Sequence, residues 1–152
     1  MTKIPIAIDA SVLIAITDHQ DKQHSTAMAL RDALIPTDTR AVYFDCVFNE
    51  TISVIGRRAE EQKRSNQFDS LLNNLESAVP LENITWIAQD SQRLFSRILE
   101  LCRRTRGILN YHDALIALVC QEQDIPYIVS FDQDFDGVSW LKRIGSAEDT
   151  KL

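Results

Sequence analysis

The chain has 152 residues, a net charge of −6 at pH 7 and a hydrophobic fraction of 45%. Its length suits one domain with a real core, and four Gly and four Pro leave little room for linkers. The longest apolar runs, such as residues 4–8 and 114–120, are much shorter than the roughly 20 residues that a membrane-spanning helix needs. We therefore expect no membrane span, and the 22 acidic against 16 basic residues argue against nucleic-acid binding by bulk charge alone.

The N-terminal residues and the cysteines indicate the cellular compartment. Thr2 and Lys3 lead straight into the apolar run 4–8, without the pattern of a signal peptide. Cys46, Cys102 and Cys120 are odd in number, widely spaced and not arranged as metal ligands. These features predict a cytoplasmic protein with buried free thiols.

Strand-like and helix-like segments alternate along the chain. Four short apolar runs are typical of strands, namely residues 4–8, 41–44, 84–88 and 125–129. Apolar residues three and four apart predict helices before residue 18 and over residues 24–34, 47–63, 65–78, 90–107 and 111–123. Residues 138–144 predict an edge strand. The alternation predicts an α/β fold with a parallel sheet, in one domain over residues 1–145 followed by a flexible tail over 146–152.

Four carboxylates fall where predicted strands end or where the following helices begin. They are Asp9, Glu50, Asp113 and Asp132. Ligands of an open parallel sheet bind beyond the carboxyl ends of its strands, so we expect these side chains at one edge. Carboxylates that lie close together raise one another's pKa unless a cation neutralises them. A set of oxygen ligands of this kind favours Mg²⁺ or Mn²⁺ over zinc.

Each of these carboxylates also has a simpler interpretation as a helix-capping residue. Glu50 and Asp113 in first helical turns favour the helix dipole in any protein. Asp9 is harder to explain as a cap, because Ser11 is the better capping residue and Asp9 directly follows a strand. Two further acids at similar junctions are interpreted as caps, Asp45 and Asp90.

Five short motifs, spread in order over residues 4–145, resemble those of the PIN domain family. They are residues 4–14 around Asp9 and Ser11, Asp21-x-x-His24-x-x-Ala27, Phe48-Asn-Glu50-Thr51, the segment 111–117 with Asp113, and Ser130-Phe131-Asp132-Gln133-Asp134-Phe135. Ala10 and Asp45 depart from the pattern, since Ser or Thr is common at both positions. Neither departure removes an acidic residue of the pattern.

The resemblance implies an α/β/α sandwich with a mainly parallel sheet of four to five strands, and an Mg²⁺- or Mn²⁺-dependent ribonuclease. The catalytic residues it implies are Asp9, Glu50, Asp113 and Asp132. Asp9, Asp113, Asp132 and Asp134 would hold one metal ion, or two about 4 Å apart, with Ser11 as an auxiliary residue. Small PIN domains of this kind are similar to VapC-type toxins, which implies an RNA substrate, a cognate antitoxin protein and a homodimer.

Several basic residues could contact RNA near such a site. Arg57, Arg58 and Arg104 are candidate phosphate contacts, with ordinary surface solvation as the alternative. His112 beside Asp113 could donate a proton, but a packed or capping histidine is the favoured interpretation. The other two histidines, His19 and His24, are interpreted as structural.

Other classes of α/β protein fit the sequence less well. A phosphorelay receiver domain needs a lysine after a late strand, yet no lysine lies between Lys63 and Lys142. A haloacid-dehalogenase-type phosphatase needs a second aspartate where Ser11 stands. A PIN scaffold without catalytic activity and a housekeeping RNA-processing nuclease remain as alternatives to the toxin.

Overall fold

The computed structural model describes residues 2–152, so Met1 of the predicted domain lies outside the described residues. Five parallel strands form one sheet in the order β3-β2-β1-β4-β5. The strands are β1 (Ile4–Ile8), β2 (Thr39–Phe44), β3 (Ile84–Thr85), β4 (Tyr127–Val129) and β5 (Lys142–Ile144). The predicted α/β/α sandwich with a parallel sheet of four to five strands is confirmed.

In the described residues 2–152, six α-helices connect the strands and cover the sheet. They are α1 (Ala10–Thr17), α2 (His24–Leu34), α3 (Asp45–Glu61), α4 (Phe68–Ala78), α5 (Asp90–Arg104) and α6 (Tyr111–Glu122). Short 3₁₀ helices lie at Ser65–Gln67, Leu81–Asn83, Gln133–Gly137 and Ala147–Thr150. Within residues 2–152, no helix combines the length and the apolar character that crossing a bilayer demands.

β1 is buried on both faces, which explains why residues 4–8 form a continuous apolar run. Successive side chains of a strand point to opposite faces. Ala7 therefore packs into the larger core with Ile128 of β4, among side chains of α3 to α6. Ile6 and Ile8 face the other way, into a smaller core that α2 closes with Leu30. The central strand is thus fixed from both sides.

β3 is shorter than the predicted strand 84–88, because the Asp45 side chain binds the backbone of the residues that would continue the strand. The backbone N–H groups of Ile87 and Ala88 donate to the Asp45 carboxylate at 2.8 and 3.2 Å. These groups are therefore not available to a neighbouring strand. The prediction that Asp45 caps α3 is wrong, since its side chain instead ties the start of α3 to the segment after β3.

The C-terminal residues beyond 145 carry a short element. Ala147–Thr150 forms a 3₁₀ helix that packs against α2. The Asp149 carboxylate accepts a hydrogen bond from the backbone N–H of Gly145 at 2.9 Å. The flexibility expected for residues 146–152 stays a prediction, and this packing gives those residues a defined place on the domain.

The three cysteines are free thiols in the structure. Cys46 and Cys120 are buried as predicted, whereas Cys102 is partly exposed. Burial raises the pKa of the Cys46 and Cys120 thiols to about 12. Both therefore stay protonated at neutral pH, and a protonated thiol is neither a metal ligand nor a nucleophile.

A buried ion pair holds the C-terminal end of α1. The Arg64 guanidinium donates to both oxygens of the Asp18 carboxylate, at 2.8 and 3.2 Å. Both residues are buried, and Arg64 also donates to Gln62 and Gln67. The pair joins α1 to the segment that follows α3. It therefore fixes two helices whose first turns lie at the carboxyl edge of the sheet.

We expect Arg64→Met to lower the free energy of unfolding by about 3–5 kcal/mol, because it leaves the buried Asp18 carboxylate without a partner. Urea denaturation measures this loss. Arg31→Met is the matched control, since Arg31 and Asp32 form an exposed pair at 3.5 Å, and its loss should stay below about 1 kcal/mol. Equal small losses in both variants would contradict a structural role for the buried pair.

Candidate active site

Asp9 lies at the point where the chain changes direction across the sheet. β1 lies between β2 and β4 in the sheet. The chain segments that follow these neighbouring strands therefore lead away from Asp9 in different directions. The backbone N–H of Asp9 donates to the carbonyl oxygen of Val129 at 2.9 Å, which holds the ends of β1 and β4 together. Such a switch point is where parallel α/β sheets bind their ligands.

The Asp9 carboxylate is buried and does not cap a helix. Asp9 occupies the N-cap position of α1, yet its side chain makes no capping hydrogen bond, and it is only 4% exposed. Its Oδ2 atom instead accepts hydrogen bonds from the hydroxyls of Ser130 at 2.6 Å and Ser11 at 3.4 Å. Burial raises the pKa of Asp9 more than these hydroxyls lower it. The capping interpretation therefore does not account for Asp9.

Ser130 is a site residue that the sequence analysis did not single out. Its hydroxyl also accepts the backbone N–H of Asp132 at 3.0 Å, so it links Asp9 to the loop after β4. The Ser11 hydroxyl lies 3.3 Å from that of Ser130 and accepts the N–H of Phe131 at 3.0 Å. In the sequence, the signal that could have indicated Ser130 is a small polar residue between an apolar strand and a loop with two aspartates.

The other predicted carboxylates surround Asp9 from separate elements. Glu50 is half-buried in the second turn of α3, and Asp113 is half-buried in the first turn of α6. Asp132 and Asp134 are exposed, just after β4 and in the 3₁₀ helix that follows it. The structure thus brings all five acidic side chains to the carboxyl edge of the sheet.

Burial and repulsion from neighbouring carboxylates raise the pKa of Asp9, Glu50, Asp113 and Asp132. Glu50 has a raised pKa because of burial and the charges of Asp9 and Asp132. Burial and the Asp9 charge raise the pKa of Asp113 to about 7, with smaller contributions from Glu50 and Asp134. Partial burial and Asp134 likewise raise the pKa of Asp132. A cation at this edge would relieve a repulsion that the protein otherwise offsets by holding protons.

Asp113 also has a structural role at the start of α6. Its backbone N–H donates to the Asn110 side chain at 2.9 Å, and its Oδ2 atom accepts the N–H of Asn110 at 3.4 Å. This capping box confirms the capping interpretation for Asp113. The expectation of a packed or capping role for His112 is wrong, since its side chain is exposed and Asn110 provides the cap.

The carboxylate oxygens of the site are suitable ligands for a hard divalent cation. The side chains would have to rotate before they could bind one. All the acidic ligands offer oxygen atoms, as Mg²⁺ and Mn²⁺ prefer. Within residues 2–152, no three His, Cys, Asp or Glu side chains already stand in an arrangement that could hold a metal ion. The exposed Asp132 and Asp134 have the most freedom to turn toward the buried Asp9.

A polar cleft of about 290 Å³ opens beside the carboxylates. Three carboxylates line it, namely Asp21, Glu50 and Asp132, together with three basic residues, Lys22, Arg57 and Arg58, which are called its basic side below. The Arg58 guanidinium donates to Asp21 at 2.7 Å. Lys22 is a basic residue of the cleft that sequence analysis missed, because it lies in a short loop with no recognisable motif.

Arg104 lies on a different surface from the other two candidate RNA contacts. It belongs to the C-terminal end of α5 and lines a small hollow with Leu118 and Trp140. Arg57 and Arg58 follow Glu50 on α3, which places them in the cleft. The structure therefore brings Arg57 and Arg58 to the carboxylates and does not bring Arg104 there.

Arg143 of β5 stabilises the loop after β4 through hydrogen bonds. It donates to Asp136 at 2.7 and 3.2 Å and to the carbonyl oxygen of Ser130 at 3.4 Å. Its charge lowers the pKa of Asp132 and so opposes the effects of burial and Asp134. The sequence Lys142-Arg143 did not indicate this role, because the role depends on the position of β5 beside β4.

The raised pKa of Asp113 predicts how stability depends on pH without divalent cations. Between about pH 4 and 7 the folded protein holds a proton that the unfolded chain has released, so the unfolding free energy falls as pH rises. Asp113→Asn has no proton to hold, so its decline should be less steep. Urea unfolding in excess chelator measures both curves, with Asp69→Asn at an exposed helix position as the control. Parallel curves for the wild type and Asp113→Asn would contradict the assigned pKa.

Comparison with known proteins places this arrangement in a family. VapC20 of Mycobacterium tuberculosis, a sarcin-ricin loop cleaving toxin, is similar in structure with a TM-score of 0.67 and 21% identity, over 89% of this chain and 95% of that chain. At this identity the likeness shows the fold alone. None of the curated proteins matches the chain. The sequence profile of the PIN domain matches residues 6–141, and the chain therefore belongs to the PIN domain family.

Proposed function

We propose that this chain is a ribonuclease that requires Mg²⁺ or Mn²⁺ and hydrolyses phosphodiester bonds of RNA. The observation that carries the proposal is the buried Asp9 carboxylate, which caps no helix and raises the pKa of both Asp113 and Glu50. Such a set of carboxylates is costly without a cation. Membership of the PIN domain family supports the same activity.

Each side chain has a distinct role in this proposal. Asp9, Asp113 and Asp132 hold the cation, and Asp134 completes the ligand set at the exposed rim. Ser11 and Ser130 keep the Asp9 carboxylate in place through their hydroxyls. Once bound, the cation acts as a Lewis acid on the phosphodiester and lowers the pKa of water at the site.

Glu50 is the proposed base for the attacking water. Burial is the largest cause of its raised pKa and does not depend on the acidic neighbours that a cation would neutralise, which suits Glu50 to accept a proton. Its position on α3 puts it at the border between the carboxylates and the cleft. In-line attack by water on the phosphorus then leaves a 5′-phosphate and a 3′-hydroxyl.

RNA must approach a chain of net charge −6, and the basic side of the cleft provides the attraction. Lys22, Arg57 and Arg58 line the same cleft as Glu50 and Asp132. Phosphate groups can therefore contact cations while the cleaved bond reaches the carboxylates. Arg104 is left out of this path because it lies in a separate hollow.

The likeness to VapC20 and the family match support a further part of the proposal. We propose that the chain is the toxin of a toxin–antitoxin pair, forms a homodimer and acts in the cytoplasm. Phe95 and Leu99, which are 50% and 40% exposed one turn apart on α5, offer an apolar surface for a protein partner. The RNA that this chain cleaves is not carried over from VapC20.

Asp9→Asn and Asp113→Asn should each lower RNA cleavage by more than about 100-fold, because removing even a residue that only supports a metal ligand costs about 10- to 100-fold. Cleavage of a labelled RNA with Mg²⁺ or Mn²⁺ measures the rates, and excess chelator should abolish the wild-type activity. Circular dichroism checks that the variants are folded. Undiminished cleavage by either variant, or activity in chelator, would falsify the site assignment.

Arg57→Gln should weaken RNA binding about tenfold, as expected for the loss of one charged hydrogen bond to phosphate. The slope of the logarithm of the binding constant against the logarithm of salt concentration should also decrease by about 0.7. Arg104→Gln is the matched comparison, with the same change on the separate surface, and should keep the wild-type slope. Equal effects of the two variants would contradict the assignment of the cleft.

Expression of the chain in its host should arrest growth, and the product of a neighbouring gene should relieve the arrest. The two proteins should co-purify, and the neighbour should suppress RNA cleavage in the purified complex. The Asp9→Asn variant is the control for harm that is unrelated to cleavage. Harmless expression of an active nuclease beside an unrelated gene would instead support a housekeeping role.

A further inference from the structure

The polar cleft contains apolar side chains that the proposed hydrolysis does not use. Ile14, Val54 and Phe131 line it together with the charged residues. Phe131 is half-buried and packs partly against the smaller core, and its backbone N–H is held by Ser11. Packing against the smaller core therefore restricts the Phe131 side chain at the border of the cleft.

The basic side of the same cleft has charge available for an anion. Lys22 and Arg57 form no ion pair with any residue of the described part, 2–152. Arg58 is paired with Asp21 at 2.7 Å, and this pairing holds the guanidinium in the cleft. Basic residues and Phe131 thus border a single space of about 290 Å³, which they share with the carboxylates of Asp21, Glu50 and Asp132.

We propose that the cleft binds one nucleotide of the RNA strand beside the bond that is cleaved, with its base on Phe131 and its phosphate on Arg57 and Lys22. This inference rests on the proposed ribonuclease function. A nucleotide combines a flat apolar base with an anionic phosphate, and the cleft offers a surface for each. Grooves that hold unpaired nucleotides commonly combine aromatic rings with basic side chains in this way.

Adenosine monophosphate (AMP) tests the proposal directly, because it has no phosphodiester bond that the enzyme could cleave. Calorimetry with the full chain gives dissociation constants for AMP, adenosine and inorganic phosphate, in Mg²⁺ and separately in chelator. AMP should bind at least about tenfold more tightly than either part alone, since one stacked base and one phosphate contact both contribute. Equal affinity for AMP and phosphate would overturn the proposal.

Variants separate the two halves of the cleft. Phe131→Ala should remove most of the advantage of AMP over phosphate, and Arg57→Gln should remove most of its advantage over adenosine. Phe131→Leu keeps the packing against the core and loses the aromatic face, so it gives the answer if the alanine variant does not fold. It should weaken AMP binding by about fivefold. Unchanged AMP binding by a folded Phe131→Leu protein would overturn the base contact.

Two control variants lie outside the cleft. Trp86→Ala removes an aromatic ring that is 56% exposed after β3, and Arg40→Gln removes an exposed arginine of β2. Both should bind AMP as the wild type does. If they weaken AMP binding as much as the cleft variants, the effect is general and the proposal fails.

The outcome for the nucleotide site can be separated from that for the ribonuclease. RNA cleavage with an unchanged KM in Phe131→Leu would leave the proposed function standing and overturn the nucleotide site. AMP binding that depends on Phe131, in a wild-type protein that cleaves no RNA, would support the nucleotide site and contradict the proposed function.

Discussion

The repulsion among carboxylates held at one edge of the sheet is the constraint on which the site depends. The pairing of β1 with β4 places Asp9 there, and the hydroxyls of Ser130 and Ser11 hold it. Burial first, and repulsion from the neighbouring carboxylates second, raise the pKa of these groups, most clearly that of Asp113 to about 7. In the function we propose, a divalent cation would replace those protons with a stronger positive charge.

The same constraint explains how an acidic protein could act on RNA. Much of the acidity near the site comes from side chains that a bound cation would neutralise, and Asp21 is already paired with Arg58, so that Lys22 and Arg57 are the charges available to the strand in the cleft. Attraction is then local to the cleft and is absent from most of the surface. Metal binding and RNA binding are therefore coupled in this account, because the first removes the repulsion that opposes the second.

The sequence predicted the positions of Asp9 and Asp132 in the fold well, because each follows a short apolar run that ends at the carboxyl edge of a parallel sheet. It could not predict the contacts of Ser130 or Arg143, which depend on which strands lie side by side. In the sequence, Arg57 and Arg104 were equally good candidates for RNA contacts, because both are arginines on predicted helices. Only the packing of the helices shows that they lie in different hollows. Asp45 was interpreted as an ordinary cap, because the N–H groups that donate to it belong to Ile87 and Ala88, which are more distant in sequence than a local pattern can show.

The central claim is that these carboxylates form one cation site. A crystal structure of the protein soaked in Mn²⁺, with the anomalous signal of manganese recorded, tests it most directly. We expect an anomalous peak roughly 2 to 2.5 Å from carboxylate oxygens of Asp9 and Asp113, with Asp132 turned toward it. Full manganese occupancy elsewhere in the molecule, with no peak at this edge of the sheet, would contradict the account.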